Sequence, residues 1–125
     1  EFIRAFQVID GVIQNNQPLF VAVWLGSVAA SVAAAGLGFG QLDGTQRLLL
    51  ISAPLIYILG VQLSTFTINV PLNNRLQALN VDAMDEVALK AARIDFEPRW
   101  NRWNLVRTPC ASLASVLLIV LLFQL

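Results

Sequence analysis

Histidine is absent from this chain of 125 residues, and cysteine occurs once, at Cys110. Without imidazole, the commonest transition-metal ligand and proton shuttle are missing. A single thiol forms no intrachain disulfide, and in an apolar segment it behaves as a small buried hydrophobe. Charge is also scarce, at 13% of residues against roughly a quarter in an average soluble domain. The eight basic and eight acidic residues cancel, which gives no electrostatic footprint for nucleic acid. No serine or cysteine has a histidine base, no metal-ligand cluster stands out, and no glycine-rich loop follows a strand. No catalytic residue, metal or cofactor is therefore assigned. The opening Glu1-Phe2-Ile3-Arg4 lacks the basic region and apolar core of a cleavable signal peptide.

What is present is apolar. Hydrophobic residues make up 57% of the chain, and the mean hydropathy is +0.67. The few charges are bunched, leaving residues 11–42, 48–74 and 108–125 uncharged. About 20 apolar residues cross a hydrocarbon core of roughly 30 Å, so each interval has room for a span. The expected fold is an all-α transmembrane helical bundle, one membrane domain over residues 1–125. Its spans are expected at about 19–39, 48–70 and 99–122. Three spans make a poor closed bundle, so a fourth is expected upstream of Glu1.

Local signals fill in this outline. Residues 1–15 read as an amphipathic helix, with Phe2, Phe6, Ile9 and Ile13 on one face and Arg4, Gln7, Asp10 and Gln14 elsewhere. A break is expected at Asn15-Asn16-Gln17-Pro18, because proline disfavours helix at the residue before it. The first span is rich in glycine, alanine and serine between Gly26 and Gly38, the composition of a close helix–helix seam. A short turn at Gly40–Gln46 makes the first two spans antiparallel neighbours. Pro54 and Gly60 fall inside the second span, where membrane helices tolerate them. Gln62, Thr65, Asn69 and Asn73 share one face if the helix persists through Pro71. A polar connector is expected over residues 73–98. In it Asn80 or Asp82 caps a short helix ending near Arg93, and Phe96-Glu97-Pro98 makes a break before the last span.

Seven of the eight basic residues lie in the amino-terminal stretch or between Arg75 and Arg107, and only Arg47 lies in the opposite turn. By the positive-inside rule residues 71–107 are expected to be cytoplasmic, in a bacterial inner (plasma) membrane.

Two polar motifs flank this region, Asn69-Val70-Pro71-Leu72-Asn73-Asn74-Arg75 and Trp100-Asn101-Arg102-Trp103-Asn104-Leu105-Val106-Arg107-Thr108. Part of each has an anchoring explanation. Trp100 and Trp103 fit an interfacial aromatic belt, and Arg99 and Arg102 fit cytoplasmic anchors. Asn69 and Asn73 fit interhelical hydrogen bonds, worth about 0.6–2 kcal/mol each. Arg107 sits about two turns inside its helix, where an arginine costs up to about 3 kcal/mol unless it snorkels or finds a partner. The candidate ligand-binding set is Asn69, Asn73, Trp100, Trp103, Asn104 and Arg107.

These motifs, together with Phe6-Gln7 and Pro18-Leu19-Phe20 ahead of the first span, resemble the anthrone-oxygenase-like family of small integral membrane proteins, and the resemblance runs over nearly the whole chain. It implies a four-helix membrane protein. For a few members it also implies oxidation of polycyclic anthrones to anthraquinones without a metal or flavin. The substrate's carbanion then reacts with oxygen itself, so the protein supplies a base, an oxyanion stabiliser and a dry cavity. On the resemblance, Arg107, Asn73 and Asn104 would stabilise a phenolate, and Trp100 and Trp103 would stack on a flat substrate. Related members often carry a histidine near the tryptophan motif; here Leu105 follows Asn104 and the base is unassigned.

Two functional classes follow. In one, the protein binds or oxidises a hydrophobic aromatic molecule in a cavity at the cytoplasmic ends of the last two spans. In the other, it is a non-catalytic accessory or structural subunit of a membrane protein complex, and the same polar residues bond to one another without a cavity. Expected partners are the lipid bilayer, a hydrophobic aromatic ligand, and a membrane-protein partner or a homo-oligomer. A transporter or channel is a third reading that would require oligomerisation.

Overall fold

The computed structural model describes residues 1–15 and 18–125. Four helices make an all-α bundle: α1 (Phe2–Gln14), α2 (Pro18–Gly38), α3 (Gly44–Gln77) and α4 (Glu86–Gln124). Three of them, α2, α3 and α4, are long and apolar enough to cross a membrane. α1 ends at Gln14 and α2 begins on Pro18; Asn16 and Gln17, at the centre of the expected break, lie outside the described residues.

The turn between α2 and α3 depends on Gly44, whose φ of 47° lies in the left-handed region that a side chain disfavours. Arg47 closes the turn by donating Nε–H to the Leu42 carbonyl at 2.7 Å. Its guanidinium also lies over the Phe39 ring, 5.2 Å from the centroid.

α3 is longer than the expected span, and its middle is unusual. Residues Tyr57–Leu63 and Thr65–Asn69 follow a π-helical path, with i→i+5 bonding in place of i→i+4. Tyr57, Gln62, Thr65, Asn69 and Asn73 all line the same side of α3. Pro71 falls in the first turn of the α-helical stretch Val70–Gln77 and does not end α3. Neither Asn69 nor Asn73 turns back to bond the carbonyl that Pro71 frees. The Asn69 amide has no partner and the Asn73 amide nitrogen bonds Asp10.

The largest departure from the sequence-based outline is α4. No break occurs at Phe96-Glu97-Pro98, and one helix runs from Glu86 through both Pro98 and Pro109. An interior proline costs about 3 kcal/mol in an isolated helix, but packing on both sides of Pro98 offsets it here. Phe96 is buried against Ile3, Leu72 and Leu76, and Trp100, one turn on, packs on the same cluster. The helix is capped by Asp85, not by Asn80 or Asp82. The Asp85 carboxylate accepts from the Ala88 backbone N–H at 2.8 Å. Asp82 instead belongs to a 3-10 turn, Val81–Ala83, and pairs with Arg4 at the surface.

α3 and α4 approach each other closely at Gly60. A Cβ there would lie 2.7 Å from the Cys110 Sγ, so the half-buried thiol is a packing element fitted to a glycine. α1 docks across the ends of α3 and α4 through aromatic contacts. Phe6 meets Phe96 edge-on at 4.8 Å and Trp100 at 5.7 Å.

α1 is partly inside out. Ile9, expected on its buried face, is 68% exposed, whereas Asp10 is only 6% exposed. The polar side chains face α3 because its last turn offers them partners. Gln7 Nε2 donates to the carbonyls of Leu76 and Leu79 at 2.8 and 3.1 Å. Gln77 Nε2 returns a bond to the Gln7 carbonyl at 2.8 Å. The apolar side left outward, with Val8, Ile9 and Val12, suits a bilayer surface.

Candidate functional site

One cavity of about 550 Å³ lies among the four helices. α1 contributes Asp10, Ile13 and Gln14, and the first turns of α2 contribute Phe20, Val21 and Trp24. The π-helical part of α3 contributes Tyr57, Gln62, Thr65 and Asn69 and its α-helical end Asn73, while α4 contributes Trp100, Asn104 and Arg107. The volume is within the roughly 300–1,000 Å³ typical of small-molecule sites. Aromatic and aliphatic side chains make much of the wall, and polar groups are spaced along it.

Most polar groups on the upper wall satisfy one another. Trp24 Nε1 donates to Gln62 Oε1 at 2.9 Å, and the Tyr57 hydroxyl lies 2.9 Å from Ser27 Oγ, which gives each buried polar group a partner. The indole of Trp24 also packs on Phe66, with 5.0 Å between ring centroids.

Deeper in, the pattern changes. Asn69 is 2% exposed, and among the described residues neither its Oδ1 nor its Nδ2 has a hydrogen-bond partner. Arg107 Nε is likewise buried without a partner. An orphaned buried polar group costs about 1–3 kcal/mol, and native folds leave few of them. Two such residues lining one cavity make an unmet demand for an acceptor beside Arg107 and for both a donor and an acceptor beside Asn69.

The opposite wall holds the residue that sequence reasoning missed. Asp10 Oδ1 accepts from Asn73 Nδ2 at 2.8 Å, and Oδ2 accepts from Gln14 Nε2 at 2.7 Å and Gln77 Nε2 at 3.1 Å. The orientation of Asn73 is chemically determined. Trp100 Nε1, which is only a donor, bonds Asn73 Oδ1 at 3.1 Å, so the Asn73 amide nitrogen must face Asp10. The signal available in the sequence was the spacing of Gln7, Asp10 and Gln14 on one face of α1, matched by Asn73 and Gln77 one turn apart on α3.

Of the six candidate residues, Asn69, Asn73, Trp100, Asn104 and Arg107 come together around the cavity. Trp103 is half-buried but is not among the lining residues. At the polar start of α4, ahead of the apolar stretch, Arg93 Nε donates to Glu97 Oε2 at 2.6 Å. That hydrogen bond holds the Glu97 carboxyl below its ordinary pKa. It lies outside the cavity. Among the described residues no group of three or more cysteine, aspartate or glutamate side chains is placed to hold a metal ion.

The family model described as anthrone oxygenase matches residues 12–117. The chain belongs to the anthrone oxygenase family. The match takes in α2, α3, most of α4 and every cavity residue from Ile13 onward, while Asp10 lies just ahead of it. No curated protein and no solved structure matches this family member.

Proposed function

We propose that this anthrone oxygenase family member binds a flat, hydrophobic aromatic molecule in the cavity and promotes its oxidation by molecular oxygen. The observation that carries the reading is the sealed amide of Asn69, with both polar atoms unpartnered on the wall of a cavity of about 550 Å³. The accessory-subunit alternative expects the polar residues to saturate one another, and Asn69 and Arg107 do not.

An anthrone suits the site by its chemistry. Loss of a proton from its methylene carbon gives a carbanion whose charge is delocalised onto the ring oxygen. Asn69 and Arg107 line the cavity and carry N–H groups without partners among the described residues; these would stabilise that oxyanion, and a water-poor cavity strengthens such bonds. The carbanion gives its electrons to oxygen. Overall, one CH₂ and one O₂ become one C=O and one H₂O, so the four electrons lost by carbon reduce oxygen fully. Trp100 and Phe20 provide flat walls for the rings. By the positive-inside rule, this end of the bundle faces the cytoplasm.

A specific observation also favours a packing partner. No residue of α2 is buried, although its small-residue stripe suits close helix contact; a second copy of the chain or another membrane helix would cover it. Oxygen uptake by the purified protein with anthrone tests the main reading. Turnover is expected in the wild type, with a loss of about 10²-fold or more in Arg107→Ala, as for removal of one oxyanion donor. No turnover by the wild type would refute the oxidation.

A further inference from the structure

We infer that Asp10 is the catalytic base that takes the proton from the substrate's acidic C–H, an assignment that rests on the oxidation proposed above. Asp10 is 6% exposed and lines the same cavity as Asn69 and Arg107. Its three hydrogen bonds come from the neutral amides of Asn73, Gln14 and Gln77. Among the described residues the ion pairs are Arg4–Asp82 and Arg93–Glu97, so no cation pairs with Asp10. These amide donors fix the direction of the carboxylate. A carboxylate offers about four lone-pair positions; three are taken by amides, and the remaining one is on Oδ1.

The support behind Asp10 is of the kind that positions a base. Trp100 holds Asn73, and Asn73 holds Oδ1. Gln77 is in turn fixed by the Gln7 carbonyl. The cavity therefore has a proton acceptor on the α1 wall and oxyanion donors on the α3 and α4 walls, so that a flat molecule between them meets both.

The proton steps balance. Asp10 takes one methylene proton as the C–H bond breaks, and the electron pair stays on the substrate. Oxygen adds to that carbon, and the protonated Asp10 returns its proton to the peroxide formed. Asp10 then removes the second C–H proton as the O–O bond breaks. The carbonyl forms, hydroxide leaves, and the proton on Asp10 completes the water. Asp10 ends as it began.

Proton abstraction is separable from oxidation. Anaerobically in D₂O, exchange of the anthrone methylene protons is followed by NMR, and oxygen uptake is measured separately in air. Quenching of tryptophan fluorescence by anthrone reports binding. The wild type is expected to exchange the protons and consume oxygen. Asp10→Asn and Asp10→Ala are expected to bind anthrone with exchange reduced about 10²-fold or more, the usual contribution of a general base. Added formate should restore exchange in Asp10→Ala. Exchange and uptake within threefold of wild type in both variants would overturn the role of Asp10 and leave the oxidation standing. Exchange by the wild type but not the variants, without oxygen uptake in air, would support the base and refute the oxidation. A wild type with neither activity would refute both. Loss of binding in both variants would mark Asp10 as a structural tie between α1 and α3 and overturn the assignment.

Discussion

Replacing Asn69 by leucine should make the ligand-free protein more stable and unable to bind its ligand. Among the described residues Asn69 is the most deeply buried large polar side chain, at 2% exposure, and both its polar atoms lack partners. Each orphaned group costs about 1–3 kcal/mol, and an apolar side chain of similar shape removes that cost. Leucine matches asparagine closely in outline, so little strain should offset the gain. Taking the lower part of the range for each atom, Asn69→Leu should stabilise the protein by about 2 kcal/mol. For a chain of this size that raises the unfolding midpoint by roughly 8 °C. Thermal unfolding in detergent micelles without ligand measures it, and fluorescence quenching by anthrone on the same samples measures binding. A midpoint lowered by several degrees would mean that the fold itself uses the amide. Unchanged anthrone affinity would mean that the ligand does not. Either result refutes the view that Asn69 is kept polar for something that enters the cavity.

The contact between α3 and α4 makes a second, purely structural expectation. In Gly60→Ala the new Cβ would sit 2.7 Å from Cys110 Sγ and 2.8 Å from its Cβ, and such overpacking costs about 1–3 kcal/mol. The midpoint should fall, and adding Cys110→Gly in the same chain should recover part of the loss. Asp85→Ala removes the cap of α4 and should cost about 1 kcal/mol, seen as faster hydrogen exchange at the amides of Val87 and Ala88, with anthrone binding unchanged. The Glu97 carboxyl lies below its ordinary pKa of 4.5 because Arg93 donates to it. A carboxyl lowered on folding stabilises the fold above its unfolded value and loses that contribution as pH falls through the folded value. The difference in midpoint between wild type and Glu97→Gln should therefore be present at neutral pH and shrink as the pH drops below 4.5.

Much of this architecture is legible in the residue order because the bilayer is a demanding solvent. Long uncharged intervals have few folds open to them, and the intervals at 11–42, 48–74 and 108–125 correspond to α2, the middle of α3 and the end of α4. The polar face of α3 was legible as well, since Gln62, Thr65, Asn69 and Asn73 fall on one side of a helix and line one cavity. The ends of the helices were harder. Pro98 carries a local signal to stop, but burial of Phe96 against Ile3, Leu72 and Leu76 outweighs it, and that packing joins residues far apart in the chain. The same limit hid Asp10. On α1 alone it is one more polar residue on a face that would turn to water, and only docking against Asn73 and Gln77 makes it a buried carboxylate.

The sequence by itself thus determined the class of fold, three apolar spans and a polar seam at one end, because those follow from hydropathy and helical period. The tertiary structure decided which polar groups find partners. It joined Asn73 to Asp10 and Trp100, paired Gln62 with Trp24, and left Asn69 and Arg107 Nε with no partner among the described residues. Hydrogen bonding is short-ranged and directional, so whether an amide is structural glue or an open site depends on positions a few tenths of an ångström apart, which only the packed helices set.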